Sequence, residues 1–324
     1  MSRPVGLGLI GVGRWGTVYL RTLRSLGRRV RLTHVGARHP ERVQLRMPAG
    51  VVVHQDWRRV VRADCDAVII ATPAPTHAEM LQACLEARKP CLVEKPLCLD
   101  VPTAERLDRR VRSMGVPVLV NHTHVFSPAY HRLKTVLASR RERIRVILSE
   151  GMNLGPFRRD TPALWDWGPH DMSLCLDLLG TTPAHVDALA GPPGPGETPE
   201  LVSLRLGFSG GVTAWIHAGC LSAEKRRRFS VFTDQRLYVW YDTCETPLTV
   251  RPFRFRDRYD HPSPASDPPI SLPTRSRQTP MERLLIYFAN GLQGGDRAQF
   301  GTALALAVVR VLARCEAAMA RRIR

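Results

Sequence analysis

A chain of 324 residues is long enough to bury a large core and to form two domains. Apolar residues make up 44% of the chain and charged residues 23%, as in an ordinary globular protein, and no apolar stretch approaches the roughly 20 residues that a membrane span needs. The net charge of +18 is compatible with nucleic acid, an acidic membrane or phosphorylated small molecules, but arginines dispersed over the predicted helix faces favour a solvated basic surface.

Strand-like and helical segments alternate over residues 1–122. Continuous apolar runs predict short strands at 5–10, 30–37, 51–54, 66–71, 91–93 and 118–121. Apolar residues at helical spacing predict helices at 14–26, 75–87 and 102–114. Because strands buried on both faces and separated by helices are typical of parallel sheets, this part is predicted to be a doubly wound, dinucleotide-binding Rossmann domain.

The pattern changes in residues 123–324. Helices are predicted at 127–137 and 169–179, and strands at 144–150, 185–190, 201–208, 212–217, 228–233 and 237–241. Strands that follow one another through Gly-rich links indicate a mixed or antiparallel open sheet, so we expect an α+β substrate and oligomerisation domain. An Arg- and Pro-rich segment at 251–280 is predicted to be a long loop or arm, followed by helices at about 281–292 and 298–321.

The amino terminus and the cysteines indicate a cytoplasmic protein. The first residues lead directly into a strand-like pattern without the features of a signal peptide. Eight scattered cysteines with no C-x-x-C pair are typical of buried free thiols in a reducing compartment. We therefore expect no metal site and no membrane partner.

A glycine-rich motif lies between the first predicted strand and the first predicted helix. Its G-x-G-x-x-G spacing allows a tight turn, a close approach of the backbone to a pyrophosphate and close helix–strand packing. The helix amino terminus then faces the phosphates. The motif predicts dinucleotide binding, with a methyltransferase as the alternative, by Gly11, Val12, Gly13, Arg14, Trp15 and Gly16.

The end of the second predicted strand indicates which dinucleotide is preferred. An acidic residue there normally holds the ribose 2′-hydroxyl of NAD, but Ala37 takes this place and Arg38 follows. A guanidinium can pair with a 2′-phosphate that a carboxylate would repel. NADP(H) is therefore the expected cofactor, with NAD(H) possible if Arg38 only stacks beside the adenine.

Ligands of doubly wound folds bind outside the carboxyl ends of the strands. The residues predicted to contact the cofactor at those ends are Ala71, Thr72, Pro73, His77, Glu94, Lys95 and Asn121.

Lys95 is singled out by composition, because the chain has 47 Lys plus Arg but only four lysines. Burial can bring the pKa of a lysine within reach of neutral pH, which does not happen to arginine. Its place at the end of the fifth strand therefore indicates a functional residue. The alternative is a solvated ion pair of Glu94 and Lys95.

The segment "DWGPHD" contains a second pair of candidates. Pro169 is tolerated in the first turn of a helix, so a helix is expected to begin near it. Asp166 and His170 are four residues apart and can project to one side. A first-turn His170 would feel the positive end of the helix dipole, which favours the neutral imidazole that accepts a proton. The alternatives are an N-capping Asp166 with a hydrogen-bonded His170, or a metal site that has no evident further ligands.

Taken together, four motifs resemble the glucose–fructose oxidoreductase / inositol dehydrogenase (Gfo/Idh/MocA) family: GVGRWG at 11–16, ATPAPTH at 71–77, EKP at 94–96 and DWGPH at 166–170. The resemblance covers nearly the whole chain. It implies a nicotinamide cofactor and hydride transfer at a carbinol carbon of a sugar, inositol or related polyol. Lys95 would contact the reacting oxygen, His170 would move its proton and Asp166 would orient the pair.

The resemblance also bears on substrate and assembly. Segments such as "NHTHVFSPAY" resemble a branch tied to sugar-nucleotide metabolism, and a phosphorylated or nucleotide-linked substrate would suit the positive charge. Sheet faces in this family commonly pair between subunits, so a homodimer or homotetramer is expected. Three features depart from the family: the second-strand acid is absent, Ala74 replaces a polar residue, and residues 251–280 are unusually rich in Arg and Pro.

Three other functions stay open on the sequence. One is a reductase of a non-sugar carbonyl or imine, similar to biliverdin reductases. Another is a non-catalytic dinucleotide-binding sensor, which would need none of Lys95, Asp166 and His170. A nucleic-acid binder is suggested only by the net charge, so no specific nucleic acid is expected as a partner.

Overall fold

The structure is a computed structural model of the chain, and it describes residues 3–45, 47–158, 161–194, 198–242, 244, 247–252, 268–274, 276 and 278–321. Its helices are α1 (Arg14–Ser25), α2 (Pro40–Gln44), α3 (Trp57–Arg62), α4 (His77–Glu86), α5 (Val101–Met114), α6 (Pro128–Arg140), α7 (Ala163–Leu179), α8 (Pro280–Leu292) and α9 (Ala303–Ala320). Its strands are β1 (Val5–Ile10), β2 (Val30–Gly36), β3 (Val52–His54), β4 (Ala67–Ile70), β5 (Cys91–Glu94), β6 (Val118–Asn121), β7 (Ile144–Leu154), β8 (His185–Ala190), β9 (Leu201–Gly207), β10 (Thr213–Gly219), β11 (Leu221–Thr233), β12 (Arg236–Tyr241), β13 (Leu248–Pro252) and β14 (Ile270–Ser271).

Two compact units divide the chain, and each is discontinuous in sequence. The first contains residues 1–123 and 279–309, and the second contains residues 124–278 and 310–324. The sequence assigned all of 123–324 to one domain, whereas helix α8 belongs to the first unit. Helix α8 packs against α1, and Ser25 Oγ donates to Glu282 Oε1 at 3.1 Å.

The first unit contains a parallel sheet of Rossmann order. Among the described residues, six strands are arranged β3-β2-β1-β4-β5-β6, and every recorded pair is parallel. All residues of β1, β4, β5 and β6 are buried, because helices cover both faces of the sheet centre. The carboxyl ends of β1, β4 and β5 are therefore neighbours at one edge of the sheet.

The second unit contains a mixed sheet. Eight described strands are arranged β14-β13-β12-β11-β7-β10-β9-β8, with β7 parallel to β10 and the other recorded pairs antiparallel. Strand β10 alternates buried Ala214 and Ile216 with exposed Trp215 and His217, so one sheet face contributes to the core. Helix α7 packs against β7 and β10. The predicted fold class of a Rossmann sheet plus an α+β domain is confirmed.

Several elements differ from the sequence predictions. Helices α2 and α3 were not predicted, because segments of five and six residues are too short to show a period. Strand β11 begins at Leu221 rather than at 228, since it pairs along the lengthened β7 as far as Leu154. The predicted arm at 251–280 lies largely outside the described residues.

None of the helices that the structure describes is long and apolar enough to span a membrane. Within the same described part of the chain, no group of three or more His, Cys, Asp or Glu side chains could hold a metal ion.

Candidate functional site

The turn between β1 and α1 packs tightly at two of its three glycines and is open at the third. Gly11 has a φ of 93°, and a Cβ there would lie 2.7 Å from the carbonyl oxygen of Ala71. A Cβ on Gly16 would collide with the carbonyl oxygen of Gly11. A Cβ on Gly13 would meet no described atom within 4 Å. Gly11 and Gly16 are therefore packed against neighbouring backbone atoms, whereas the space beside Gly13 is large enough for a ligand.

The amino terminus of α1 makes this open space suitable for an anion. Gly13 is the N-cap and has no side chain with which to cap the helix. The first turn contains no acidic residue. Free N–H groups and the helix dipole attract a phosphate at such a position. Arg14 is exposed, and Val12 and Trp15 are partly buried in the turn.

The residues after β2 form the neighbouring border of the open space. Ala37 is buried, and its N–H donates to the carbonyl of His54 at 2.9 Å, which holds the strand end against β3. Arg38 is exposed. The structure thus places an exposed guanidinium side chain, rather than a carboxylate, two residues after β2, the strand that pairs with β1.

The turn after β4 is held by hydrogen bonds on both sides. The Ala71 N–H donates to the carbonyl of Ile10 at 2.8 Å. The Thr76 hydroxyl oxygen lies 2.7 Å from the carbonyl oxygen of Pro73, to which it can donate, and 2.7 Å from the hydroxyl oxygen of Thr72. His77 is 1% exposed, and both its ring nitrogens lie at hydrogen-bond distance from backbone carbonyl oxygens.

Glu94 and Lys95 are both buried, 4% and 6% exposed, so they are not the solvated ion pair that the sequence left open. Glu94 Oε1 accepts hydrogen bonds from the Tyr19 hydroxyl at 2.8 Å and from Asn121 Nδ2 at 2.5 Å. Burial raises the pKa of Glu94, while Lys95 and the two hydrogen bonds act in the opposite direction. The Glu94 carboxyl group therefore joins α1, β5 and β6 beneath the turn that carries Lys95.

Tyr19 is a site residue that the sequence did not predict. Its hydroxyl donates to Glu94 and also accepts from Asn121 Nδ2 at 2.8 Å. Its apolar helical neighbours make it resemble an ordinary core residue. Asn121 Oδ1 accepts from the Thr123 hydroxyl at 2.6 Å, so the amide has protein partners on both atoms. This polar cluster forms because the fold brings residues of β5, β6 and α1 together, so it could not be predicted from the sequence.

In the second unit, Asp166 and His170 lie one turn apart on α7, as the four-residue spacing predicted. The helix begins at Ala163, however, and Pro169 lies inside it, so the prediction of a start near Pro169 was wrong. Asp166, not His170, occupies the first turn, and the dipole argument made for His170 no longer applies. Arg158 forms an ion pair with Asp166 at 3.5 Å.

His170 is buried, at 8% exposure, in an aromatic environment. The edge of its ring meets the ring of His124, with centroids 4.9 Å apart. The ring of His124 in turn lies 6.1 Å from that of Trp240. No local pattern predicts this aromatic environment, because His124 and Trp240 are far from α7 in the chain.

A buried ion pair supports α7 next to His170. Asp171 is fully buried, and its Oδ1 accepts from Arg227 at 2.9 Å and from the Ser149 hydroxyl at 2.6 Å. Gly151 makes room for this carboxylate, since a Cβ there would collide with Asp171 Oδ2. The sequence "KRRR" at 225–228 is the densest basic run of the chain. It lies inside β11, and Arg227 is buried while Lys225, Arg226 and Arg228 are exposed.

Two family models match the chain. Residues 5–122 match the model of an oxidoreductase family with an NAD-binding Rossmann fold, GFO_IDH_MocA. Residues 156–239 match the GFO/IDH/MocA C-terminal domain.

Similar curated proteins are named as dehydrogenases. Inositol 2-dehydrogenase of Mycolicibacterium smegmatis is 36% identical over 133 residues, which are 40% of this chain and 39% of the relative. The chain thus aligns with about two fifths of the length of this relative. UDP-N-acetylglucosamine 3-dehydrogenase of Acidithiobacillus ferrooxidans is 24% identical over 246 residues, 75% of each chain.

Similar solved structures extend over nearly the full chain. A protein of Magnetospirillum magnetotacticum MS-1, described as an oxidoreductase, has a TM-score of 0.85 and 38% identity, covering 96% of this chain and 99% of its own. The fold of the Acidithiobacillus ferrooxidans enzyme is also similar, with a TM-score of 0.84, 20% identity and full coverage of both chains.

Proposed function

Because the chain belongs to the Gfo/Idh/MocA family of oxidoreductases, we propose that it transfers a hydride between a nicotinamide dinucleotide and a carbinol or keto carbon of a sugar, sugar nucleotide or polyol. The observation that carries the proposal is the turn at 11–16, in which packing requires Gly11 and Gly16 while Gly13 leaves space at the amino terminus of α1. These features fit the pyrophosphate of a dinucleotide. When bound, the nicotinamide supplies or accepts the hydride.

We assign the movement of the proton to Lys95 and His170. Oxidation of a carbinol requires the hydroxyl to lose a proton, and a poised base lowers that barrier. An ammonium at Lys95 would stabilise negative charge on the reacting oxygen. Asp166, in the first turn of α7, is assigned to orient the substrate and His170. The pH profile of the residual turnover of Lys95 and His170 variants shows which residue accepts the proton. Oxidation of a carbinol slows at low pH when the proton acceptor becomes protonated, so only the variant that lacks the acceptor should lose this dependence.

Arg38 supports NADP(H) as the preferred cofactor. The Arg38 side chain is exposed two residues after the end of β2. In Rossmann folds the residues at the end of this strand contact the ribose of the dinucleotide. The residue before it is the buried Ala37, so no carboxylate at this position opposes a 2′-phosphate. NAD(H) is expected to bind more weakly.

A nucleotide-linked substrate is supported by one relative and by the charge. UDP-N-acetylglucosamine 3-dehydrogenase aligns over three quarters of this chain. The net charge of +18 would attract a diphosphate-linked sugar.

A reducing, cytoplasmic location is proposed from the cysteines. All eight are free, and seven of them are buried. Buried thiols that form no disulfides are common in proteins of reducing compartments.

A screen of nucleotide sugars and free polyols with each nicotinamide dinucleotide tests the proposal. The absorbance of the reduced nicotinamide reports turnover in either direction. Turnover of a sugar, sugar nucleotide or polyol is the expected result. Tight dinucleotide binding without turnover of any carbonyl, imine or carbinol would instead indicate a sensor, and turnover confined to non-sugar carbonyls or imines would replace the substrate class.

A further inference from the structure

The ring of His77 connects two turns that the sequence treats separately. Nδ1 lies 2.7 Å from the carbonyl oxygen of Pro96, and Nε2 lies 2.8 Å from the carbonyl oxygen of Thr72. The side chain is 1% exposed. The sequence predicts that His77 contacts the cofactor directly, but both its ring nitrogens lie at hydrogen-bond distance from backbone carbonyl oxygens.

The two partners limit the protonation state of the ring. Carbonyl oxygens can only accept hydrogen bonds, and a neutral imidazole has one N–H and one lone pair. A neutral His77 could therefore donate a hydrogen bond to one carbonyl oxygen only. Its other ring nitrogen would face the second carbonyl oxygen with a lone pair, which is repulsive. The imidazolium donates to both.

The two carbonyls belong to segments that matter for the proposed function. Thr72 follows β4, and its Cγ2 would lie 2.8 Å from a Cβ placed on Gly11, so this turn forms one wall of the glycine-rich turn. Pro96 directly follows Lys95 at the end of β5. His77 is the first residue of α4, so its ring is carried by a helix that packs against both β4 and β5.

We propose that His77 is a positioning residue: its doubly protonated ring donates to the carbonyls of Thr72 and Pro96 and fixes the spacing between the glycine-rich turn and Lys95. This inference rests on the proposed function, because the spacing matters only if a dinucleotide lies across these strand ends. Three features oppose a charge on the ring, namely its burial, the amino terminus of α4 and the ammonium of Lys95, the residue before Pro96. The two carbonyl dipoles act in its favour.

Nitrogen-15 NMR of histidine-labelled protein tests the protonation state. The His77 resonances are identified as those lost in His77→Gln or His77→Asn protein. At neutral pH, both ring nitrogens are expected in the protonated range, and one unprotonated nitrogen would overturn the proposal. If neither variant folds, through-bond correlations from the His77 backbone to its ring in uniformly labelled wild-type protein assign the two nitrogens, and the same criterion applies.

Dinucleotide binding tests the positioning role. Asn can place its amide near the Nδ1 position and Gln near the Nε2 position, so each variant can keep only one of the two hydrogen bonds. Both are expected to weaken NADPH binding about tenfold, because the Thr72 turn, which forms one wall of the glycine-rich turn, is then held less firmly. His185→Gln, at an exposed histidine of β8, is the matched control and should bind like the wild type.

The outcomes separate this inference from the proposed function. A wild-type protein that binds neither NADPH nor NADH contradicts the proposed function. A wild-type protein that binds, together with folded His77 variants of unchanged affinity, contradicts the positioning role alone. Fluorescence of the reduced nicotinamide gives both dissociation constants without requiring a substrate.

Discussion

Lys95 and Lys225 differ strongly in their exposure to solvent. Lys95 is 6% exposed at the end of a buried strand, whereas Lys225 is exposed on β11. Removing an ammonium from water is costly unless partners compensate, and Glu94 lies next to Lys95 in the chain with its own carboxyl group buried. A position of this kind is typical of a functional lysine.

We expect Lys95→Ala to lower kcat by at least about 100-fold, the usual contribution of proton transfer or charge stabilisation. The dissociation constant for NADPH should change little, because the phosphate-binding turn at 11–16 is untouched. Steady-state kinetics and fluorescence titration measure the two quantities. Lys225→Ala is the matched control, and wild-type turnover in Lys95→Ala would remove Lys95 from the mechanism.

Arg38 allows a second prediction about a single side chain. Arg38→Ala should weaken NADPH binding by about tenfold to 100-fold, since a hydrogen bond to a charged group contributes on the order of 1.5–3 kcal/mol. NADH binding should be nearly unchanged. Parallel titrations of both cofactors give the ratio.

The neighbouring arginine provides the control for this prediction. Arg42 lies on α2, and its side chain is 75% exposed. Arg42→Ala removes the same charge and should leave both affinities unchanged. Equal losses for NADPH and NADH in Arg38→Ala would show that Arg38 does not recognise the 2′-phosphate.

At the scale of elements, the turn between β1 and α1 assigns different roles to two of its glycines. Gly13 has a φ of −76°, which alanine adopts readily, and a Cβ there would meet no described atom within 4 Å. Gly16 lies against the carbonyl of Gly11. The structure of the turn therefore requires Gly16, while the open space at Gly13 is left for a ligand.

Gly13→Val should leave the melting temperature of the cofactor-free protein nearly unchanged and weaken dinucleotide binding by about tenfold or more, because its side chain fills that space. Gly16→Ala should lower the melting temperature even without cofactor, since overpacking typically costs about 1–3 kcal/mol. Thermal unfolding with and without NADPH separates the two effects. A cofactor-bound Gly13→Val protein with wild-type affinity would place the phosphates elsewhere.

Helix α7 is joined to the sheet through the buried pair of Asp171 and Arg227. Removing one partner leaves the other charge buried and unpaired, so Arg227→Met should lower the free energy of unfolding by about 3–5 kcal/mol. The double variant Asp171→Leu/Arg227→Met should lose less than the sum of the single variants. Urea denaturation measures all of them.

Arg226→Met is the control for the ion pair, because Arg226 is exposed on the same strand. Its effect should stay within about 0.5 kcal/mol. Additive losses in the double variant would mean that Asp171 and Arg227 do not stabilise each other.

At the scale of the whole molecule, one face of the second sheet presents apolar side chains to solvent. Trp215 of β10 and Leu148 of β7 are cross-strand partners, and they are 43% and 41% exposed on the face opposite the core. Exposed apolar patches of this kind commonly mark protein interfaces. We propose that this face joins copies of the chain in a homodimer or homotetramer.

Light scattering coupled to size-exclusion chromatography should give the mass of two or four chains, because association through this face would remove its apolar side chains from water. Trp215→Glu should shift the mass towards one chain, because a buried carboxylate in the interface is unfavourable. Leu45→Glu is the control, as Leu45 is 95% exposed in the first unit. A monomeric wild-type protein would contradict the proposal.

Much of the fold was predictable because its signals are local. Continuous apolar runs gave β1, β4 and β6 nearly to the residue, and G-x-G-x-x-G marked the turn before α1. Helix α8 was also predicted, and the reciprocal hydrogen bonds of Thr279 and Glu282 explain its start. The packing of α8 against α1 was not predictable, since it depends on the shapes of two faces about 260 positions apart.

The sequence by itself determined most of the longer strands and helices, the family resemblance and the candidate residues, because periodicity and short motifs are written in neighbouring positions. Only the tertiary structure decided that Arg227 is buried against Asp171, that Glu94 is held by Tyr19 and Asn121, and that His77 bridges two carbonyls. The partners in these contacts come from different elements. Burial and hydrogen bonding at such positions follow from how the elements pack, which no local pattern of residues records.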